Sequence, residues 1–170
     1  MSHTDRADHG DGRDDSAVET ALAKAVDLLA LRQHFAAEIR AKLKKRGFDS
    51  ETTTAVVSRL EVLGYLDDVA AARAFAEQRA LRQGWGPMRL RAELGRRGVD
   101  ESVCESAVAQ AFPDGEGDAV RAAASRWRDR GGTGRQRLAR YLDRRGFSKG
   151  AIIEILSEFA GEAESNHEKS

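Results

Sequence analysis

The sequence predicts an all-α protein of three tandem three-helix, helix-turn-helix-like repeats in an elongated, curved array. Three observations predict it. The chain is rich in Ala, Leu, Arg and Glu, side chains that lose little freedom in a helix. Its only prolines are Pro87 and Pro113, so long helices are rarely interrupted, and Val, Ile, Thr, Tyr and Phe do not gather into the alternating runs of strands. One short pattern then occurs three times, as Ile39, Leu43, Lys45, Arg46, Gly47, Phe48, as Leu90, Leu94, Arg96, Arg97, Gly98, Val99, and as Leu138, Leu142, Arg144, Arg145, Gly146, Phe147. The glycines lie 51 and then 48 residues apart, a period that marks stacked repeats.

Each part of the pattern has a physical reason. Two apolar residues four apart share one helix face. Two cations in the last turn complement the helix dipole. Glycine supplies the left-handed conformation that ends the helix, and the apolar residue after it folds back on the last turn. Ser50, Asp100 and Ser148 are the expected N-caps of the helices that follow. Those helices bury Val56, Val57, Leu60 and Leu63 in the first copy, Val103, Ala107 and Phe112 in the second, and Ile152, Ile155, Leu156 and Phe159 in the third.

A further helix precedes each pair. The first covers residues 17–31 and buries Leu22, Val26 and Leu29. The second starts at Asp67 and Asp68 and reaches Arg82, with Phe75 and Leu81 inside. The third runs from Gly117 to Arg130 with Val120, Ala124 and Trp127. The repeats are residues 17–64, 65–114 and 115–161, between tails 1–16 and 162–170. Phe35 and Tyr65 read as core. Repeats this small share little core with distant copies, hence the expected elongated shape.

Charge is unevenly spread along a formally neutral chain. Residues 1–16 carry 5 aspartates against 2 arginines, and residues 160–170 carry 3 glutamates against 1 lysine, which leaves 25 basic and 20 acidic residues in 17–159. Tails without aromatic or branched apolar residues cannot offset ordering entropy and are expected to be disordered. A basic body suits a polyanion or an acidic partner.

Several classes are disfavoured. Cys104 is the only cysteine, so no internal disulfide forms. The acidic N-terminus is no secretory signal, and no run of about 18 apolar residues spans a membrane, so the cytoplasm is the expected compartment. Of His3, His9, His34 and His167, only His34 falls in the body, where it reads as a surface or cap residue. One cysteine and one histidine do not make a zinc site, and no phosphate loop of the Gly-x-x-x-x-Gly-Lys type occurs. Gly131, Gly132, Thr133 and Gly134 read as a linker, and Asp67 and Asp68 as a cap rather than a cation site. Neither catalytic residue, cofactor nor metal is expected, and nothing demands a dimer.

The arginines carry the functional reading. Residues 79–97 hold Arg79, Arg82, Arg89, Arg91, Arg96 and Arg97 against Glu93 alone. Residues 121–145 hold Arg121, Arg126, Arg128, Arg130, Arg135, Arg137, Arg140, Arg144 and Arg145 against Asp129 and Asp143. A third cluster is Arg40, Lys42, Lys44, Lys45 and Arg46. Dipole complementation accounts for Arg46, Arg97 and Arg145, but not for so many companions. The planar guanidinium fork suits phosphate and carboxylate. The expected binding set is Arg79, Arg82, Arg89, Arg91, Arg96, Arg97, Arg135, Arg137, Arg140, Arg144 and Arg145. Trp85, in a turn beside the second cluster, either packs on the repeat or stacks on a partner; Trp127 sits at core spacing.

Order and spacing of the short motifs resemble one family. Gly64-Tyr65-Leu66-Asp67-Asp68 is followed by Arg73, Phe75 and Ala76, and then by Gly86, Pro87, Arg89, Leu90, Glu93, Leu94, Arg97, Gly98 and Val99. With Lys42, Leu43, Arg46, Gly47, Phe48 and with Leu142, Arg144, Arg145, Gly146, Phe147, Ser148, they resemble the RecX family over about residues 17–160. Val99 in place of the family's more usual Ile, and Gln33-His34-Phe35 where many relatives have a Ser or Thr cap, depart from its pattern. The resemblance implies a bowed array of three-helix repeats that binds the groove of the RecA–DNA filament. It implies suppression of RecA's ATP hydrolysis, strand exchange and coprotease activity, and so regulation of DNA repair and the SOS response. DNA contact would be weak and indifferent to sequence. The competing reading is a helix-turn-helix protein acting directly on DNA, but the arginines crowd the first helix of each pair. A recognition helix would carry base-reading side chains at its own start.

Overall fold

The computed structural model describes residues 11–167, with side-chain surroundings for residues 15–159. Every regular element among the described residues is an α-helix: α1 (Asp11–Leu31), α2 (Ala36–Lys45), α3 (Ser50–Val62), α4 (Asp68–Gln83), α5 (Pro87–Arg96), α6 (Glu101–Ala111), α7 (Gly117–Asp129), α8 (Arg135–Arg145) and α9 (Lys149–His167). The chain divides into two compact units between Ala71 and Ala72.

The glycine ends that organise the sequence are all present. Gly47, Gly98 and Gly146 have φ of 91°, 80° and 82°, the left-handed region open to residues without a Cβ. After each glycine the apolar residue donates its backbone N–H back across the turn: Phe48 to Leu43 O at 3.3 Å, Val99 to Leu94 O at 3.2 Å, Phe147 to Leu142 O at 3.3 Å. That long return bond is the Schellman closure. It explains why an apolar residue follows each glycine.

In the first unit α1, α2 and α3 pack on one another around Ala21, Ala25, Leu28, Ile39, Leu43, Val56, Val57 and Leu60. The buried stripe of α1 lies one residue before the expected one. Ala21 and Ala25 are fully buried, Leu22 and Leu29 flank the core, and Val26 is 44% exposed. Alanine on the contact face lets helix axes approach closely, which pushes larger neighbours to the margins. Leu63 and Tyr65 likewise lie outside, and Leu66 beyond the Gly64 turn takes the core position. Phe35 is buried as expected.

Caps show how local chemistry sets boundaries. Asp49, not Ser50, caps α3: its carboxylate accepts the Thr52 N–H at 2.7 Å. This hydrogen bond holds the carboxyl below its ordinary range. Asp67 accepts the Ala70 N–H at 2.9 Å at the start of α4, whereas Asp68 reaches back to accept the Ala36 N–H of α2, also at 2.9 Å. α1 begins at Asp11, inside the segment expected to be a tail, and the charge of Asp15, near its start, complements the positive end of the helix. Residues 1–10 lie outside the described residues. At the other end α9 runs on to His167, past the expected boundary at residue 161.

His34 is not a surface residue. It is 4% exposed, and its Nδ1 lies 2.9 Å from the Arg32 carbonyl. Burial lowers its pKa from the ordinary 6.5; the Arg32 carbonyl opposes that shift, as does Glu38, while Arg32 and Lys42 add to it. The unfolded chain therefore binds the proton more readily, and the first unit keeps this stability above pH 6.5 and loses it as pH falls below that value. Urea unfolding by circular dichroism should show a midpoint that drops between pH 7 and pH 5.5, about the window set by an ordinary histidine. His34→Gln should flatten that slope; an equal slope in the variant would remove His34 as its source.

In the second unit α7, α8 and α9 enclose Val120, Ala123, Ala124, Leu138, Leu142, Phe147, Ile152 and Ile155, with Trp127, Leu156 and Phe159 partly buried against them. Ser148 caps α9, accepting the Ala151 N–H at 3.2 Å. α5 packs on α6 and begins with Gly86 as N-cap and Pro87 in the first turn, where a missing N–H costs nothing. α6 is capped by Asp100 as expected, but buries Cys104, Ala107 and Val108, with Val103 and Phe112 half-buried. Phe75 is half-buried and Leu81 is exposed. α4 turns the small face of Ala72 and Ala76 inward, and Leu81 falls roughly a turn and a half further on, on the opposite side.

The end of α8 is bound to the start of α5 by main chain. Gly86 N–H donates to Arg145 O at 2.6 Å and Met88 N–H to Gly146 O at 3.0 Å. The backbones meet so closely that a Cβ on Gly146 would lie 2.4 Å from Arg89 N, and one on Gly86 would lie 2.5 Å from Gly146 O.

Candidate functional site

The eleven arginines expected to bind a partner all lie in the second unit, and the structure sorts them by what their guanidinium groups already hold. Arg89 donates to Arg144 O at 3.1 Å and lies over the Trp85 ring at 4.1 Å. Arg79 lies between Phe75 and Trp85, at 5.1 and 5.2 Å from their ring centres, with its Nε buried. Arg97 covers Phe75 at 5.3 Å. Trp85 meets Phe75 edge to face at 6.1 Å, so the loop tryptophan belongs to a stacked aromatic and arginine cluster. Arg96 makes a two-point ion pair with Glu93, at 2.5 and 3.1 Å, and its hydrogen bond holds that carboxyl below the ordinary range.

Arg145 donates to the Gln83 carbonyl and lies over Tyr141 at 5.0 Å. Arg126, outside the expected set, does the equivalent two residues earlier on α4, donating to Leu81 O at 3.1 Å. These arginines use one edge of the guanidinium to tie α7 and α8 to the carbonyl end of α4. The favourable sign is that of a cation at a helix C-terminus.

The remaining arginines face solvent. Arg137, Arg140 and Arg144 are three and four residues apart on α8, hence on one helix face. All are exposed, and together with Trp127, Gly131, Gly132 and Thr133 they line a cleft of about 430 Å³. Arg135 lies beside a second groove, lined by Trp127, Leu138, Leu156 and Phe159. Gly132 packs flat on the Trp127 indole, where a Cβ would come within 2.3 Å of the ring. Trp127 therefore joins core and surface. Arg91 is exposed on α5.

A third concavity, about 250 Å³, is lined by Arg82, Gln83, Gly84, Arg126, Arg130, Tyr141 and Arg145. Among the described residues no carboxylate lines this cleft or that of Arg137, Arg140 and Arg144. Arg121 provides the contrast: it is neutralised by Glu158 at 2.9 Å and Asp118 at 3.0 Å. The sequence places Arg126 in α7 and Arg130 four residues on, at the C-cap of that helix, but gives no sign that they meet Arg82 and Arg145. No group of three potential metal ligands occurs among the described residues, and no described helix is long and apolar enough to cross a membrane.

Helical triplets closed by glycine, with exposed arginines displayed on one unit, define an all-α helical-repeat protein with a basic face. Comparison with known proteins makes this specific. Residues 21–60 match the family model of the first three-helix domain of RecX, and residues 67–108 that of the second. The regulatory protein RecX of Thermus thermophilus is 42% identical over 84% of this chain and 95% of its own length. That of Prosthecochloris aestuarii is 35% identical over 85% and 96%. The crystal structure of RecX from Lactobacillus salivarius superposes with a TM-score of 0.73 at 17% identity, over 85% of this chain and 97% of that one. The chain belongs to the RecX family of regulatory proteins.

Proposed function

We propose that this protein is a negative regulator of the RecA recombinase. In this reading it acts in the cytoplasm as a monomer, binds along the groove of the RecA–DNA filament, and suppresses ATP hydrolysis, strand exchange and coprotease activity. It thereby restrains DNA repair and the SOS response. The observation that carries the reading is the α8 stripe of Arg137, Arg140 and Arg144, exposed and without a carboxylate partner among the described residues, in a chain of this family. Unneutralised arginines on one helix face complement a repeating acidic surface and steer association with it. The contact surface comprises this stripe with Arg135 on α8 and Arg91 and Arg82 in the middle of the chain, whereas Arg96 is already paired with Glu93. Arg79, Arg89, Arg97 and Arg145, which hold carbonyls or aromatic rings, shape the surface from beneath.

The test is RecA ATP hydrolysis on single-stranded DNA with the cognate recombinase fixed and this protein titrated in. Inhibition at well under one regulator per recombinase is the expected result. Unchanged hydrolysis at molar excess of folded protein would refute the reading. Direct reading of duplex sequence is the weaker alternative, because α6 opens with Glu101 and Ser102; its signature would be sequence preference together with steep salt dependence.

A further inference from the structure

We propose that the cleft of Arg82, Arg126, Arg130 and Arg145 is a binding site for a condensed phosphate chain, such as that of a nucleoside di- or triphosphate. Four guanidinium groups, brought by α4, α7 and α8, line one concavity of about 250 Å³. Their number and convergence select the ligand. A carboxylate or a strand phosphodiester brings a single charge to any one point. A strand would suit the linear row on α8, where Arg137, Arg140 and Arg144 follow one another along a helix. Adjoining phosphates concentrate several charges within a few ångströms, the arrangement that four converging cations match.

The site is also partly built before any ligand arrives. Arg126 is fixed by Leu81 O and Ala122 O, and Arg145 by Gln83 O and the Tyr141 ring. Each guanidinium has five donors, so these anchors orient the group and leave other N–H bonds for a ligand. Holding donors in place beforehand lowers the ordering cost of binding. Arg82 and Arg130 are exposed and would close on the phosphates from the rim. A ligand held by all four would bridge α4, α7 and α8, and so respond to the same junction that positions the α8 stripe.

Isothermal titration of the full-length protein at low ionic strength tests this with inorganic triphosphate, ATP and a thymidine oligonucleotide. Saturable binding of one triphosphate per chain is expected. The R82A/R130A variant should weaken it by about 10-fold or more, with unchanged circular dichroism. The K44A/K45A variant removes two exposed charges from α2 and should bind as wild type. ATP bound as well as triphosphate supports a site for the phosphate chain alone; ATP bound more tightly supports a nucleotide site. The proposal fails if neither ligand saturates, or if K44A/K45A loses as much affinity as R82A/R130A. It fails equally if only the oligonucleotide binds and R82A/R130A abolishes that binding, which would make the cleft a strand site.

Discussion

Gly146→Ala should destabilise the second unit by about 3–5 kcal/mol, among the largest losses a single methyl group can cause. Its φ of 82° strains any residue with a Cβ, and the added carbon would lie 2.4 Å from both Cβ and N of Arg89. Relieving that overlap separates α8 from α5 and breaks the bonds from Gly86 to Arg145 and from Met88 to Gly146, each worth about 0.5–1.5 kcal/mol. Gly115 is the matched control, with a φ of 83° and nothing within 4 Å of an added Cβ; alanine there should cost only about 1–2 kcal/mol. Both tryptophans, Trp85 and Trp127, lie in the second unit, so indole fluorescence in a urea titration reports on it alone. Equal midpoints for the two variants would show that main-chain proximity at Gly146 contributes nothing to stability.

Reversing the α8 stripe should remove most of the regulatory activity. The triple variant Arg137→Glu, Arg140→Glu, Arg144→Glu replaces three exposed charges that have no described acidic partner, so folding should be spared. Against a filament, each reversal substitutes repulsion for attraction, and like charges brought together at an interface cost several kcal/mol. The concentration needed to inhibit RecA ATP hydrolysis should rise by about 100-fold, and residual inhibition should weaken less with salt than that of wild type. Arg89 cannot be tested in the same way, because it holds Arg144 O and its reversal would disturb the junction. Full inhibition by the folded triple variant would move the contact surface away from α8.

What the sequence revealed depended on the range of the interaction. The helix-ending glycines and their apolar followers were legible because the bonds that make them span five residues, as in Phe48 to Leu43. Helix class and order followed from the same local signals. Burial on α1 was misplaced by one residue because size suggests Leu22 and Val26, whereas the packing selects Ala21 and Ala25. His34 sits at a helix start, where exposure was the natural expectation, yet packing within the first unit buries it. The arginines were visible as a cluster but not as two populations. Whether a guanidinium meets a carbonyl 62 residues away, as Arg145 meets Gln83, or meets water is decided by tertiary placement that periodicity does not encode. The cleft of Arg82 and Arg130 escaped notice for the same reason.

The carboxylate of Asp68 bears on how such a chain can be dismantled. This residue opens α4, within the stretch matched as the second three-helix domain, yet its oxygen completes the N-terminus of α2, within the stretch matched as the first. The units of sequence and of stability are therefore offset by a few residues. A fragment ended at residue 66 would contain every helix of the first domain and still lack one of its caps. A duplication or exchange with its breakpoint there would transplant helices without the side chain that completes them, so viable breakpoints in this lineage should fall beyond Asp68.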